Sequence, residues 1–134
     1  MAGEGFPARL RLRQRREFLA VTRLGTKYHT RNFLVFVQDE KRDAPPRLGI
    51  TVTKKVGNAV QRNWIKRRVR EVFRRKQQAF APGLAMVWIA KKQARGISTA
   101  QVEAEFETLL SRRGLRRNSG LGGQGVTKGA ERER

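Results

Sequence analysis

Residues 47–90 read RLGITVTKKVGNAVQRNWIKRRVREVFRRKQQAFAPGLAMVWIA, and this stretch decides the fold. Leu48, Ile50 and Val52 alternate with Gly49, Thr51 and Thr53, the period of a strand with one buried face. Gly57 and Asn58 break that pattern. Residues 59–79 contain no Pro or Gly and are dense in Arg, Lys and Gln, so the spacing predicts one long helix. Pro82 and Gly83 stop it. Residues 84–90, with Met86, Val87, Trp88 and Ile89, form an apolar run too short for a helix and predict a buried strand.

Working outward, residues 32–38 are rich in β-branched and aromatic side chains, and a polar loop over 39–46 leads from them to 47–54. The reading pairs these two strands and adds 84–90 to the same sheet. Upstream, 9–16 is an alternating basic arm, and 15–24 carries Phe18, Leu19 and Val21 before Gly25, a short helix with its stop. Downstream, Ser98 and Gln101 have the spacing of a capping box, followed at helical intervals by Val102, Phe106, Leu109 and Leu110 up to Gly114. Beyond it, glycines at 114, 120, 122, 123, 125 and 129 lie among Arg, Ser and Lys with almost nothing apolar. Such a segment cannot offset its ordering entropy by burial. The expected organisation is a flexible N-terminus over 1–8, one domain over 9–113 and a disordered tail over 114–134.

At 100° per residue, Ile65, Val69, Val72 and Phe73 share one wedge of the long helix and belong to the core. The opposite side gathers Asn63, Arg67, Arg70 and Arg74, flanked by Lys66 on one edge and by Arg68 and Arg75 on the other. Only Glu71 interrupts this ribbon, within reach of Arg67 and Arg75. A run of Lys and Arg on an ordinary helix is a solvated face balanced by acidic residues at i+4. Here that balance is missing, and like charges at i,i+4 destabilise a helix by roughly 0.2–0.5 kcal/mol per pair. Phosphates outside the helix would offset the repulsion, and the planar guanidinium fork suits them. Asn63 could read a base edge or a ribose 2′-hydroxyl.

The whole chain agrees. Its 134 residues carry 31 Lys plus Arg against 11 Asp plus Glu, a net charge of +20, so the surface attracts polyanions. The apolar residues of each periodic segment are needed for the core, which disfavours a membrane surface and leaves nucleic acid. With no cysteine, disulfides and thiolate chemistry are excluded. No apolar run approaches the ~20 residues of a membrane span, and the N-terminus lacks the apolar centre of a signal peptide, so a cytoplasmic protein is expected. A protein-based metal nuclease would need converging carboxylates. Glu103, Glu105 and Glu107 instead alternate along a helix, and His29 reads as an ordinary loop or strand residue.

Lys54, Lys55, Gly57, Asn58, Ala59, Val60, Arg62, Asn63, Lys66, Arg67, Arg70 and Glu71, in this spacing, resemble the signature of the bacterial ribonuclease P protein subunit. The resemblance continues upstream through Phe18, Gly25, Arg31, Asn32 and Phe33 and downstream through Ile89, Ala90, Lys91 and Lys92, over about residues 9–110. It implies an α+β two-layer sandwich, the ribonuclease P protein fold of the ribosomal protein S5 domain 2-like kind. In that fold a first helix precedes a mainly antiparallel four-stranded sheet, whose left-handed βαβ crossover carries the basic helix, and a C-terminal helix ends the domain. Sequence physics alone would favour the right hand, found in about 98% of such crossovers.

The resemblance also implies that the catalyst is a large RNA, which binds Mg2+ and hydrolyses the phosphodiester at the 5′ end of mature tRNA. The protein assists, paired one-to-one with that RNA, and supplies no catalytic side chain. By position, Arg62, Asn63, Lys66, Arg67 and Arg70 would hold the catalytic RNA, with Lys54, Lys55 and Asn58 extending the surface. A cleft between the first helix and the sheet would take the single-stranded 5′ leader of precursor tRNA on Phe18 and Phe36, with Lys91 nearby. Thr22 stands where many relatives have an aromatic, and Tyr28 compensates only if its loop folds over the cleft. The rival classes are a structural RNA-binding protein and a free-standing nuclease.

Overall fold

A computed structural model describes residues 7–117. The expected flexible residues 1–6 and most of the expected tail, 118–134, lie outside the described residues. After a single 3-10 turn at Ala8–Leu10 come helix α1, Arg15–Leu24, and strands β1, Thr26–His29, β2, Phe33–Asp39, and β3, Arg47–Thr51. Helix α2, Ala59–Lys76, leads through a 3-10 turn to β4, Leu84–Ala90, and α3, Thr99–Leu110, completes the domain.

Local chemistry explains the helix ends. Glu17 accepts from the backbone N–H groups of Arg13 (2.7 Å) and Gln14 (3.0 Å) at the start of α1, satisfying donors that the first turn leaves open. At α2 the Asn58 side chain accepts from Gln61 N while Gln61 accepts from Asn58 N, each at 2.9 Å, and Ser98 with Gln101 repeats the device at α3. Before β4, Gly83 adopts φ +82°, which a side chain would strain.

The strands lie in the order β1-β2-β4-β3, with β1–β2 and β2–β4 antiparallel and β3–β4 parallel. Contrary to the sequence reading, β2 and β3 do not pair with each other; β4 lies between them. The reason is visible in the side chains. β4 is the strand without polar residues, and a strand covered on both faces belongs at the centre of a sheet. The chain therefore crosses from β3 to β4 through α2, the crossover of a parallel pair. β1, Thr26–His29, had no signal of its own beyond Gly25 ahead of it.

One sheet face carries Phe33, Val35, Val37, Leu48, Ile50, Met86 and Trp88 against Ile65, Val69, Val72 and Phe73 of α2 and Val102, Phe106 and Leu109 of α3, all buried. Trp88 stacks on Phe106 with centroids 4.3 Å apart. α1 stands over part of the other face, where Leu12, Val21, Ala85 and Val87 form a smaller cluster. This partial layer goes beyond a strict two-layer sandwich.

The packed domain extends past 113. Leu115 is buried beside Phe80, Ala81 N donates to Leu115 O and Arg117 N to Ala79 O, so 114–117 run alongside 79–81. One apolar side chain with a seat beside Phe80 outweighs the glycine in front of it. No helix among the described residues is long and apolar enough to cross a membrane.

Candidate RNA interface

The cationic surface begins before α2. Val56 is buried and Val56 N donates to Thr53 O, a turn that leaves Lys54 and Lys55 exposed beside the helix N-terminus. Asn58 is the helix cap, so its side chain is committed to Gln61 rather than free. Arg62 Nε donates to Gly57 O at 3.1 Å, which holds its guanidinium against the same loop. The open backbone N–H groups and macrodipole of a helix start add to these charges and favour an anion there.

Burial of Ile65, Val69, Val72 and Phe73 fixes the rotation of α2, leaving Asn63 and Arg67 exposed and Lys66 and Arg70 half-buried. Arg70 is pushed below the usual arginine range, first by burial and then by the neighbouring Arg11 guanidinium. An arginine stays charged under such pressure. Two converging guanidiniums are a source of repulsion that a bound phosphate would relieve.

The ribbon is not uniform along its length. Arg75 pairs with Glu103 (3.1 Å) and Lys76 with Glu107 (2.8 Å), both on α3, and Glu71 lies 3.8 Å from Arg68 rather than beside Arg67 or Arg75. Among the described residues, Lys54, Lys55, Arg62, Lys66, Arg67 and Arg70 have no carboxylate within 4.0 Å. Among the described residues the repulsion inferred from sequence is thus offset from within the protein at 68, 75 and 76 and left open at Lys54, Lys55, Arg62, Lys66, Arg67 and Arg70.

On the opposite sheet face, Arg15, Phe18, Leu19 and Thr22 of α1 and Thr51, Val87 and Ile89 of the sheet line a groove of about 350 Å³. Phe18 sits over Gly49: a Cβ there would come within 2.5 Å of the Phe18 ring, so the glycine makes the seat. Strand register places Lys27, Phe36, Val87 and Gly49 in one row across the sheet and His29, Leu34, Ile89 and Thr51 in the next. Phe36 is half-buried against the same small cluster as Phe18 but does not line the groove. Lys91 lies just beyond Ala90, at the end of β4; its ammonium donates to Thr30 O at 2.8 Å, and it also stays outside the lining.

Thr22 does line the groove, with its hydroxyl donating back to Leu19 O. Tyr28 cannot compensate for it. That residue belongs to β1, not to a loop, and its ring packs on the main core at the opposite face, 5.7 Å from the Arg112 guanidinium. The groove residues that sequence did not assign to it are Arg15, Leu19, Thr51, Val87 and Ile89; Leu19, 49% exposed, was legible only as part of the α1 pattern.

A second hollow, about 720 Å³, lies between the N-terminal arm and the 39–46 loop, lined by Arg9, Arg11, Arg13, Arg42 and Arg47 among others. Arg47 is held by Glu17 (3.1 Å) and by both oxygens of Glu40 (3.0 Å). The two backbone N–H bonds, and then Arg47, lower the Glu17 carboxyl below its usual range.

The acidic residues form no cage. Among the described residues no three His, Asp or Glu side chains converge on a point that could hold a metal ion. Glu105 is buried and accepts from Asn32 Nδ2 at 2.6 Å and from Asn32 N, pinning the β1–β2 turn to α3. Glu103 and Glu107 serve α2.

A family model described as Ribonuclease P matches residues 6–114. The chain belongs to the ribonuclease P protein family. It is 43% identical over 95 residues to the ribonuclease P protein component of Finegoldia magna, covering 71% of this chain and 82% of that one. The corresponding protein of Syntrophus aciditrophicus is 41% identical over 102 residues, 76% of this chain and 85% of the relative. The RNase P protein of Thermotoga maritima superposes with a TM-score of 0.68 at 35% identity, over 76% of this chain and 96% of its own. That of Staphylococcus aureus does so with 0.68 at 32%, over 76% and 93%. The ribonuclease P fold, an open mixed sheet of four strands with helices, is the one described above.

Proposed function

We propose that this chain is the accessory protein of ribonuclease P, binding the catalytic RNA through 54–70 and the 5′ leader of precursor tRNA in the α1 groove. The observation that carries the reading is that, among the described residues, Lys54, Lys55, Arg62, Lys66, Arg67 and Arg70 have no carboxylate within 4.0 Å, whereas Arg75 and Lys76 in the last turn of the same helix meet Glu103 and Glu107. Lys54, Lys55, Arg62, Lys66, Arg67 and Arg70 contact phosphates, and Asn63 reaches a base edge or 2′-hydroxyl. Asn58 acts indirectly, by fixing the helix start. Phe18 offers the groove a ring for an unpaired leader base, while Phe36 packs on the same small cluster and Lys91 holds the β1–β2 turn through Thr30 O.

Among the described residues no group of three acidic or histidine side chains is placed to hold a metal ion, and on this reading the cleavage step belongs to the RNA. Mg2+ belongs to the RNA, which hydrolyses the phosphodiester, and the protein acts in the cytoplasm by holding RNA and substrate together. Reconstitution tests this. The protein, catalytic RNA and precursor tRNA at near-physiological magnesium should give cleavage at the mature 5′ end faster than RNA alone. No stimulation would refute the proposal, as would cleavage by the protein without RNA.

A further inference from the structure

Trp64 is a large aromatic residue on the most cationic stretch of the chain, and neither the core nor the charge ribbon accounts for it. It remains 45% exposed, and Val60, one turn earlier on the same helix face, is 76% exposed. The indole is nevertheless fixed. Its Nε1 donates to Ile97 O at 2.9 Å, and the Arg68 guanidinium carbon lies 4.2 Å from the ring centroid. With its single polar atom satisfied, the side chain has only its ring face to offer a partner. Holding that ring in place beforehand removes rotamer freedom that binding would otherwise have to freeze.

The surroundings select the partner. Asn63 and Arg67, exposed on either side along α2, and Lys92 and Arg95, exposed in the segment that ends at Ile97, make the environment of the ring cationic and polar. An apolar protein surface would have to desolvate these charges. A nucleic-acid strand would not, because its phosphates match them while an unpaired base matches the indole. We propose that Trp64 is a stacking platform for one unpaired base of the RNA that α2 holds, with Arg68 backing the ring. This inference rests on the RNA-binding reading of α2 and adds to it a non-electrostatic contact.

The chain has two tryptophans, and Trp88 is fully buried, so a change in emission on RNA binding reports Trp64. Titration of the full chain with the catalytic RNA should quench that emission and shield it from acrylamide. Trp64→Phe, which keeps a ring but loses the bond to Ile97, should retain most of the affinity. Trp64→Leu should lose roughly 5- to 150-fold, the worth of one stacked base. Melting temperatures of the variants monitor the tie to the 92–97 segment.

Unquenched emission during salt-sensitive RNA binding, with a Leu variant as tight as the parent, would overturn the platform and leave the RNA-binding role of α2 standing. Equal losses for the Phe and Leu variants would overturn it too, reducing Trp64 to a clamp on Ile97. Quenching by a leader oligonucleotide but not by the catalytic RNA would overturn the assignment to the catalytic RNA. Absence of RNA binding by every form would defeat the functional proposal itself.

Discussion

The stretch 62–70 and the last turn of α2 are both rich in basic side chains and differ in electrostatic state. Around 62–70, Arg62, Lys66, Arg67 and Arg70 have no carboxylate within 4.0 Å among the described residues, and the Arg11 guanidinium lies near Arg70. At 75 and 76 they meet Glu103 and Glu107 of α3 at 3.1 and 2.8 Å. Charge density read along a helix is therefore not available charge. What matters is which neighbouring element carries the counter-charges, and among the described residues the α3 carboxylates paired with α2 meet its last turn.

The comparison breaks most visibly in RNA affinity. Replacing Arg67 and Arg70 together by Ala should make the salt dependence of catalytic-RNA binding shallower by roughly 0.7–0.9 per lost contact, whereas Arg75→Ala should leave the slope in place. Filter binding across a salt series measures both, and equal slopes for the two variants would erase the distinction between the turns. A change at the α1 groove serves as the contrast. Gly49→Ala should displace the Phe18 ring, costing about 1–3 kcal/mol of stability and weakening binding of precursor with a leader, while the salt slope for catalytic RNA stays constant. Calorimetry and leader-dependent binding check the two halves of that expectation.

A smaller effect would make the two ends alike. Glu103→Gln with Glu107→Gln should free Arg75 and Lys76, steepening the salt dependence of RNA binding while costing at most about 1 kcal/mol of stability per exposed pair. The smallest effect is on pH. Lys76, by its hydrogen bond and its charge, and Arg116 hold the Glu107 carboxyl below its ordinary 4.5, and Glu17 is lowered as well. Stability from these groups is complete above the unfolded value and is lost as pH falls through the depressed folded values. Thermal melts between neutral pH and about pH 3 should show this acid loss, reduced in Glu107→Gln.

Much of this was legible in the chain. Residues 15–24, 59–76 and 84–90, with the caps at Asn58 and Ser98, follow from periodicity and local hydrogen bonding, because helix and cap signals are short-range. Pairing is a long-range property, and it was misread: 32–38 and 47–54 each match a partner equally well until β4 is placed between them. Neither β1 nor the return of Leu115 beside Phe80 had a local signal, since each depends on a surface made by distant residues. The same holds for Tyr28, whose side of the sheet is set by register with Val35.

For function, the sequence by itself determined that the chain is a polycation with a basic helix whose inward face is Ile65, Val69, Val72 and Phe73, and its spacing pointed to the family. Those are properties of composition and of a 3.6-residue period, which need no neighbours. Only the tertiary structure decided that the C-terminal end of the ribbon is neutralised, that Asn58 and Lys91 are committed to the protein's own backbone, and that Gly49 makes the seat for Phe18. The reason is the range of the forces. Helix formation is decided within a few residues, while an ion pair, a seat or a groove exists only where the fold brings distant residues within a few ångströms.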